Sequence, residues 1–406
     1  MIITGLFIFI LFCQLSRTIS YNRRILVVVA LVIYLLVTLG DFYWLCSIQG
    51  EAFHPSDPYN YYYKIIDLHF SEVLRIESSN TFYFIINWFY WKIWGDPFLA
   101  SFFLKINNVL VYICTYLLLT KKKTAVCYID YLLLFNPYTI MTLVRNVRDI
   151  YIILFVVMIL LGIGVIKNNR LNFFWVLIAI LLLSITRSIL LLPLLIVFFE
   201  LKKKYFPVYW RYVLYAFTFI LLVLFHATLI RVVGNQMISS IAYIGEETDA
   251  FLPLLDGGIS ISILKSISIR LCIGLISFIF TPHPVNFILN WLATMDQNGS
   301  SGIYTGTDNL LIAMGSIFNY LLVLPLVILC VLNYKKCNRS IFIFVTCYII
   351  LYVVSYLGVS DIRNRNTAIF FILASVMFSD YNLKLRRKHY LIMLGIFGCI
   401  MLFSAS

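Results

Sequence analysis

Apolar residues make up 62% of the 406-residue chain and charged residues only 12%, which excludes an ordinary soluble domain. The formal charge of +13 would suit a nucleic-acid binder on a soluble surface, but here its distribution follows membrane topology, so no nucleic-acid partner is expected. Lipid offers the backbone no hydrogen-bond partners, and the apolar runs are too long and too unalternating for barrel strands. The expected fold class is therefore an all-α polytopic membrane protein.

The first run, 2–16, has Arg17 after it rather than before it and lacks a small-residue cleavage site, so it reads as a transmembrane helix and not a cleaved signal. Further spans are expected at 25–40, 98–119, 124–141, 150–166, 172–186, 187–199, 209–230, 309–333, 340–357, 366–380 and 389–404. That makes about 11–13 helices, each run being close to the ~20 residues a bilayer core requires, with both termini outside. Basic clusters occur at Arg17/Arg23/Arg24, Lys121 to Lys123, Lys167/Arg170, Lys202 to Lys204 with Arg211, Lys335/Lys336/Arg339 and Lys384/Arg386/Arg387/Lys388. They hold 19 of the 31 basic residues, with only Glu200 and Asp380 as acids beside them, and the positive-inside rule makes these six loops cytoplasmic. Asp130 falls within a span, which leaves 12 basic against 15 acidic residues elsewhere.

Keeping the basic loops on one side requires that 81–94 does not cross. It is short, rich in Trp and Tyr and interrupted by Asn87 and Lys92, which suits an interfacial helix. The segment 269–281, ending at the turn Thr281-Pro282-His283-Pro284, is read in the same way as a half-span. Two external regions follow, 41–97 and 231–308. The run 187–199 is short enough that 172–199 could instead be one tilted helix. No fixed-period repeat and no linker divides the chain, so residues 1–406 form a single integral membrane domain. The nine cysteines are scattered without a C-x-x-C, and the five histidines show no metal-ligand spacing, so neither a disulfide framework nor a metal site is expected.

This topology puts Arg145, Arg148 and Asp149, in TLVRNVRDIYII, on the outer side, where basic residues are expected to be few. Arg187, Arg270, Arg363 and Arg365 fall there too, the last two in DIRNR between two spans. Arginine near membrane depth needs an anion or a carbonyl cage, and its planar fork binds phosphate oxygens in bidentate fashion. Convergence of several suggests a phosphate or pyrophosphate head group; any one alone could simply pair locally, as Arg148 with Asp149. NPY at 136–138 is expected to end a helix just before the arginines and set their angle.

The first external region carries EAFHPSDPYNYYYKIIDLHF, in which Asp57 is held in a proline turn and Tyr59 and further tyrosines follow. Aromatic faces beside a carboxylate suit carbohydrate, and the carboxylate could take a proton from a sugar hydroxyl; equally, Asp57 could only cap the next helix. Asp41 and Asp149 are rival bases. Lys105 with Asn107 and Asn108 within a span is either packing glue or a cavity wall, and GEETD at 245–249 reads as a solvated loop. No Gly-rich phosphate loop or nucleotide fingerprint is present and no basic loop is long enough for a cytosolic α/β domain, so an activated donor would have to arrive through the lipid.

The aspartate in DPYNYY, the FNPYTIMTLVRNVRDIYI block, the TRS of 186–188, the half-span ending in TPHP and the external RNR together resemble the Wzy-type O-antigen and capsular polysaccharide polymerases and the related EpsG-like group. The resemblance covers most of the chain as an order of features. It implies a GT-C-like fold in a bacterial inner membrane with a site open to the periplasm. It also implies substrates that are undecaprenyl-pyrophosphate-linked oligosaccharides, a chain-length regulator and a flippase as partners besides membrane lipids, and no cofactor. By resemblance Asp57, Arg148 and Arg187 are catalytic, and Arg145, Asp149, Arg363, Arg365, Tyr59, His283 and Arg270 bind substrate. The second external region offers only Arg231, Lys265, Arg270 and His283 where many such polymerases carry a larger arginine-rich loop. The alternatives are a GT-C glycosyltransferase moving a single sugar from a polyprenyl-phosphate donor, with Asp57 and Asp67 as its acidic pair, and a lipid-linked oligosaccharide flippase.

Overall fold

The computed structural model describes residues 20–202, 306–379 and 385–395, less 55–56, 77–79, 122, 124, 167–170 and 356–361, together with Phe278. The expected span 209–230 and external region 231–308, apart from Phe278 and 306–308, lie outside the described residues, as does the first expected span. Among the described residues all regular structure is helical. Four stretches, Tyr21–Gln49, Pro97–Thr120, Phe173–Leu201 and Leu310–Leu332, are long and apolar enough to cross a membrane, and shorter apolar helices cover Asp149–Gly162 and Arg339–Val353. The chain is an α-helical membrane protein.

Helix α1 (Tyr21–Trp44) has its polar groups turned inward. Arg23, Thr38 and Asp41 share the buried stripe with Leu26, Ala30 and Tyr34, while Val28 and Leu36 on the far side are exposed. Such a helix is solvated by lipid on its apolar face and by protein on its polar one. A π-turn over Leu45–Gln49 ends it at Gly50, whose φ of 69° is left-handed and open to glycine. Three short helices follow in the first external region: α2 (Asp57–Tyr63), α3 (Phe70–Arg75) and α4 (Thr81–Trp94).

Helix α4, the segment expected to be interfacial, packs on neighbouring helices at both of its ends. Its first turn reaches the later helix α8 (Asp149–Gly162), with the Phe82 ring 5.6 Å from Tyr151 and 5.3 Å from Phe155, and its last residue, Trp94, stacks at 3.9 Å on Phe103. Phe103 belongs to α5 (Pro97–Thr120), against which α4 packs from the turn at Gly95. The aromatic side chains that suggest an interface are equally suited to this buried packing.

The expected single span 124–141 is two helices, α6 (Tyr128–Leu134) and α7 (Pro137–Val144), broken at Asn136. Proline 137 has no N–H for the carbonyl of Leu133, and the Tyr138 N–H goes to the Asn136 side chain at 3.0 Å instead of to Leu134. Both orphaned carbonyls find hydroxyl donors on neighbouring helices: Tyr112 donates to Leu133 O at 2.6 Å and Tyr34 to Leu134 O. The NPY motif is thus a mid-path break and not the helix end next to the arginines. Tyr112→Phe is expected to lower stability by ~1–3 kcal/mol through the unsatisfied carbonyl. Thermal unfolding in detergent checks this, and an unchanged midpoint would mean that the Leu133 carbonyl is satisfied otherwise.

Helix α8 is apolar all round and buried all round, touching α5 and, beyond it, α9 (Phe173–Arg187). Helix α9 buries only Val176, Ala179, Leu183, Thr186 and Arg187, one stripe at helical spacing, and leaves Phe173, Phe174 and Leu181 outward. At Arg187 the backbone leaves helical geometry (φ −160°, ψ 69°), a short 3-10 turn covers Ser188–Leu190, and α10 (Leu191–Lys202) follows. Length alone would allow one span, but both legs end together. Asn338 donates to Val165 O at 3.3 Å, just past α8, and next to it Arg339 pairs with Glu200 at 2.8 Å. The legs measure ~22 and ~18 Å by helical rise, each shorter than the ~30 Å core.

Close packing at the other end of α9 sets it against α8. A Cβ on Gly162 would meet Val176 Cγ2 at 1.9 Å. Gly162→Ala is expected to destabilise by ~1–3 kcal/mol from overpacking, and adding Val176→Ala should restore most of that. A double variant no more stable than the single would show that the clash is not with Val176.

The remaining helices are α11 (Gly306–Phe318), α12 (Leu324–Leu332) after a π-turn at Asn319–Val323, α13 (Arg339–Ser355), α14 (Ile362–Met377) and a last one over 387–395. Helix α14 begins at Ile362, so Arg363 and Arg365 lie within a helix and not in a loop between spans. Four polar side chains on its packed face and on α7 bond to one another: Asn366 Oδ1 accepts from Asn136 at 3.2 Å and from Thr139 at 3.0 Å, and Asn366 Nδ2 donates to Thr142 at 3.4 Å.

Candidate functional site

The turn between α7 and α8 is built around Asn146. Its φ of 56° lies in the left-handed region, where asparagine is among the few non-glycine residues tolerated. Helix α5 holds it there: Asn146 Nδ2 donates to Ser101 O at 3.2 Å and to Ser101 Oγ at 3.1 Å, and its Oδ1 accepts from Asn108 at 3.4 Å. Asn107 on the same helix donates to the Tyr151 hydroxyl. The polar patch of α5 is therefore the cradle of the RNVRD turn, a role that spacing alone left open.

From this turn Arg145 and Asp149 are directed into the protein, each 4% exposed, while Arg148 is half-buried. Arg187 at the α9–α10 apex is 6% exposed and lies over the Tyr352 ring, 5.2 Å from its centroid. The Tyr352 ring packs on Tyr348 at 4.5 Å, whose hydroxyl donates to Asn364 O at 3.2 Å. Burial first, and then the neighbouring Arg187 charge, hold Arg148 below the usual guanidinium pKa, whereas Tyr61, Asp149 and Tyr352 oppose that shift. Arg148, Arg187, Asp149, Tyr61 and Tyr352 thus share one neighbourhood. Asp149 also stands in the first turn of α8, where the helix N-terminus favours a carboxylate.

The other expected site residues are more dispersed. Arg365 is 2% exposed and its Nε donates to Phe278 O at 2.7 Å, a backbone contact. Arg363 is half-buried one turn before Thr367, whose hydroxyl donates to its carbonyl at 3.4 Å. Tyr59 is 42% exposed and stacks on Tyr63 at 4.2 Å. Asp57 opens α2, but its side chain lies outside the described residues, as do Arg270 and His283.

A second buried charged group was not legible as a unit. Asp41 Oδ2 accepts from Lys105 Nζ and, at 3.0 Å, from His54 Nε2, and none of the three side chains is more than 1% exposed. As a rival base Asp41 already has one carboxylate oxygen engaged by two donors. The order Asp41, His54, Lys105 spans a helix, a loop and another helix, so no local spacing links them. Tyr348 and Tyr352 likewise carried no signal beyond the general wealth of tyrosine.

Chemically, Arg148 and Arg187 bring two positive charges and planar hydrogen-bonding forks to one neighbourhood. A diphosphate fits that charge. Neither a family model, a curated protein nor a solved structure matches the chain.

Proposed function

We propose that this protein is a membrane glycosyltransferase that polymerises undecaprenyl-pyrophosphate-linked repeat units into O-antigen or capsule chains, as a GT-C-like multi-pass protein of a bacterial inner membrane with its site at the periplasmic face. The observation that supports the reading is that Arg148 and Arg187, carried by two separate turns, lie close enough for each to feel the other's charge. Two guanidinium groups in one neighbourhood, beside Asp149, suit the pyrophosphate of a lipid-linked glycan, whose oxygens a planar fork binds in bidentate fashion.

In the proposed reaction the hydroxyl oxygen at the non-reducing end of one repeat unit bonds to the anomeric carbon of the growing chain. The bond from that carbon to the phosphate oxygen breaks, and undecaprenyl pyrophosphate leaves with the electron pair. Asp57 takes the hydroxyl proton or orients the hydroxyl. Arg148 and Arg187 stabilise the charge growing on the departing pyrophosphate, and donors fixed in advance do so without reorganising. In this reading Arg145 and Asp149 join Arg148 in binding the substrate, and Tyr59 and Arg363 are the further candidates for contacts with the glycan.

The test is the banding pattern of surface glycan from a deletion strain. Loss of the ladder with retention of a single repeat unit on the core, and recovery of the ladder with the wild-type chain, is the expected result. Loss of even the single repeat would point to a missing sugar or a missing flip and would overturn the reading.

A further inference from the structure

We infer that Asp41, Lys105 and His54 form a positioning cluster that pins the external segment 51–63 onto the helices beside Arg148; the inference rests on the polymerase reading for its functional consequence only. The cluster joins three parts of the chain. Asp41 belongs to α1, Lys105 to α5, and His54 to the segment leading into α2. His54 Nε2 and Lys105 Nζ meet the same oxygen of Asp41, and all three side chains are buried. In this geometry Lys105 balances the carboxylate charge, and His54 donates its Nε2–H to the same oxygen.

The pin is continued into the segment by packing. His54 O accepts from the Tyr59 N–H at 3.2 Å, and the Phe53 ring stacks on Tyr62 at 4.4 Å. Tyr62 meets Trp91 of α4 edge-on at 5.6 Å, and Tyr61 meets Tyr83 at 5.2 Å and Phe84 at 5.7 Å. Tyr61 in turn belongs to the surroundings of Arg148. Residues 52–54, 61 and 62 are all buried although they belong to an external segment. The His54 anchor therefore fixes where α2, which opens at Asp57, stands relative to the arginines. Asp41 is a positioning residue in this account, not the base.

Two double variants separate the anchor from the ion pair. Asp41→Asn with Lys105→Met removes both charges but keeps an acceptor for His54; Asp41→Leu with Lys105→Met removes the acceptor as well. Replacing a buried ion pair by neutral groups of similar volume is commonly tolerated. His54→Gln and His54→Ala form an independent pair, since glutamine keeps an N–H donor. One readout is polymerisation of a lipid-linked repeat unit by purified protein. The other is labelling of an Ala52→Cys sensor by a membrane-impermeant maleimide, measured against the same variant without the sensor; Ala52 is 2% exposed.

The Asn/Met and His54→Gln variants are expected to keep the sensor protected and to keep turnover within about threefold. The Leu/Met and His54→Ala variants are expected to expose the sensor and to lower kcat by about 100-fold, with KM for the lipid-linked donor unchanged because the arginines still hold it. Equal protection and equal turnover within each pair would overturn the inference. If wild-type protein does not polymerise at all, the polymerase reading fails, and the labelling contrast alone still decides whether the cluster pins the segment.

Discussion

Arg148→Ala and Arg187→Ala, expressed at matched abundance, are each expected to lower polymerisation by about 100- to 1,000-fold, the scale seen when one preorganised donor to a developing anion is removed. The two should not multiply when combined, because they act on one leaving group. Arg187→Lys is expected to recover little. Lysine carries the charge but neither the planar fork nor the broad face that lies over Tyr352. The check is turnover of purified variants with a lipid-linked repeat unit, reported as kcat and KM separately. Variants within tenfold of wild type would remove these arginines from the chemistry.

At the opposite end of α1 the largest effect is on stability. Arg23 is 0% exposed and donates to Lys123 O, to Ala125 O at 2.6 Å and to Thr120 O at 3.4 Å, and it pairs with the equally buried Asp130 at 3.3 Å. It satisfies carbonyls at and beyond the C-terminus of α5, groups that have no partner within the helix. Asp130 is further held by the Tyr116 hydroxyl at 2.6 Å and the Cys127 N–H at 2.7 Å. Arg23→Met is expected to destabilise by ~3–5 kcal/mol, because the Asp130 charge is left buried and unbalanced. Adding Asp130→Asn should return part of that. The loss should appear as low abundance and a lower unfolding midpoint, with turnover per folded molecule unchanged, since Arg23 is at the far end from Arg148. A normal midpoint for Arg23→Met would show that the clamp contributes little.

Arg23 also shows what kind of information sequence carries in a membrane protein. Its cluster reads by charge as one of six loops on the same side, and that sidedness agrees with the Glu200–Arg339 and Asn338–Val165 contacts at one end. Charge statistics could not reveal that Arg23 is buried as a clamp and that Lys123 reaches the carbonyl of Met377 and the ring of Phe378. Apolar runs marked the helices well, because membrane burial rewards composition over a whole turn. They failed at the α6–α7 break, where Asn136 and Pro137 interrupt an apolar run without interrupting its hydropathy. At α4 they do not decide, because the same aromatic residues suit an interface or a packed interior.

The site shows the same division. Arg145, Arg148 and Arg187 were recognisable because guanidinium within an apolar run is anomalous, and Arg187 is near enough to Arg148 for its charge to be felt there. Arg365 was equally anomalous, yet it serves the carbonyl of Phe278. Its neighbours in sequence cannot tell a phosphate from a carbonyl. The Asp41–Lys105–His54 cluster was hidden because its members are 13 and 64 residues apart and only folding brings them to one oxygen.

The most direct measurement of the central claim uses the purified protein in vesicles with a single undecaprenyl-pyrophosphate-linked repeat unit as the sole substrate, without nucleotide sugars or other proteins. The account predicts lipid-linked products of two, three and more repeat units, with undecaprenyl pyrophosphate released in step, and no such products from Arg148→Ala or Arg187→Ala. Movement of the substrate between leaflets without any change in its length, or transfer only when a polyprenyl-phosphate sugar is added, would contradict it.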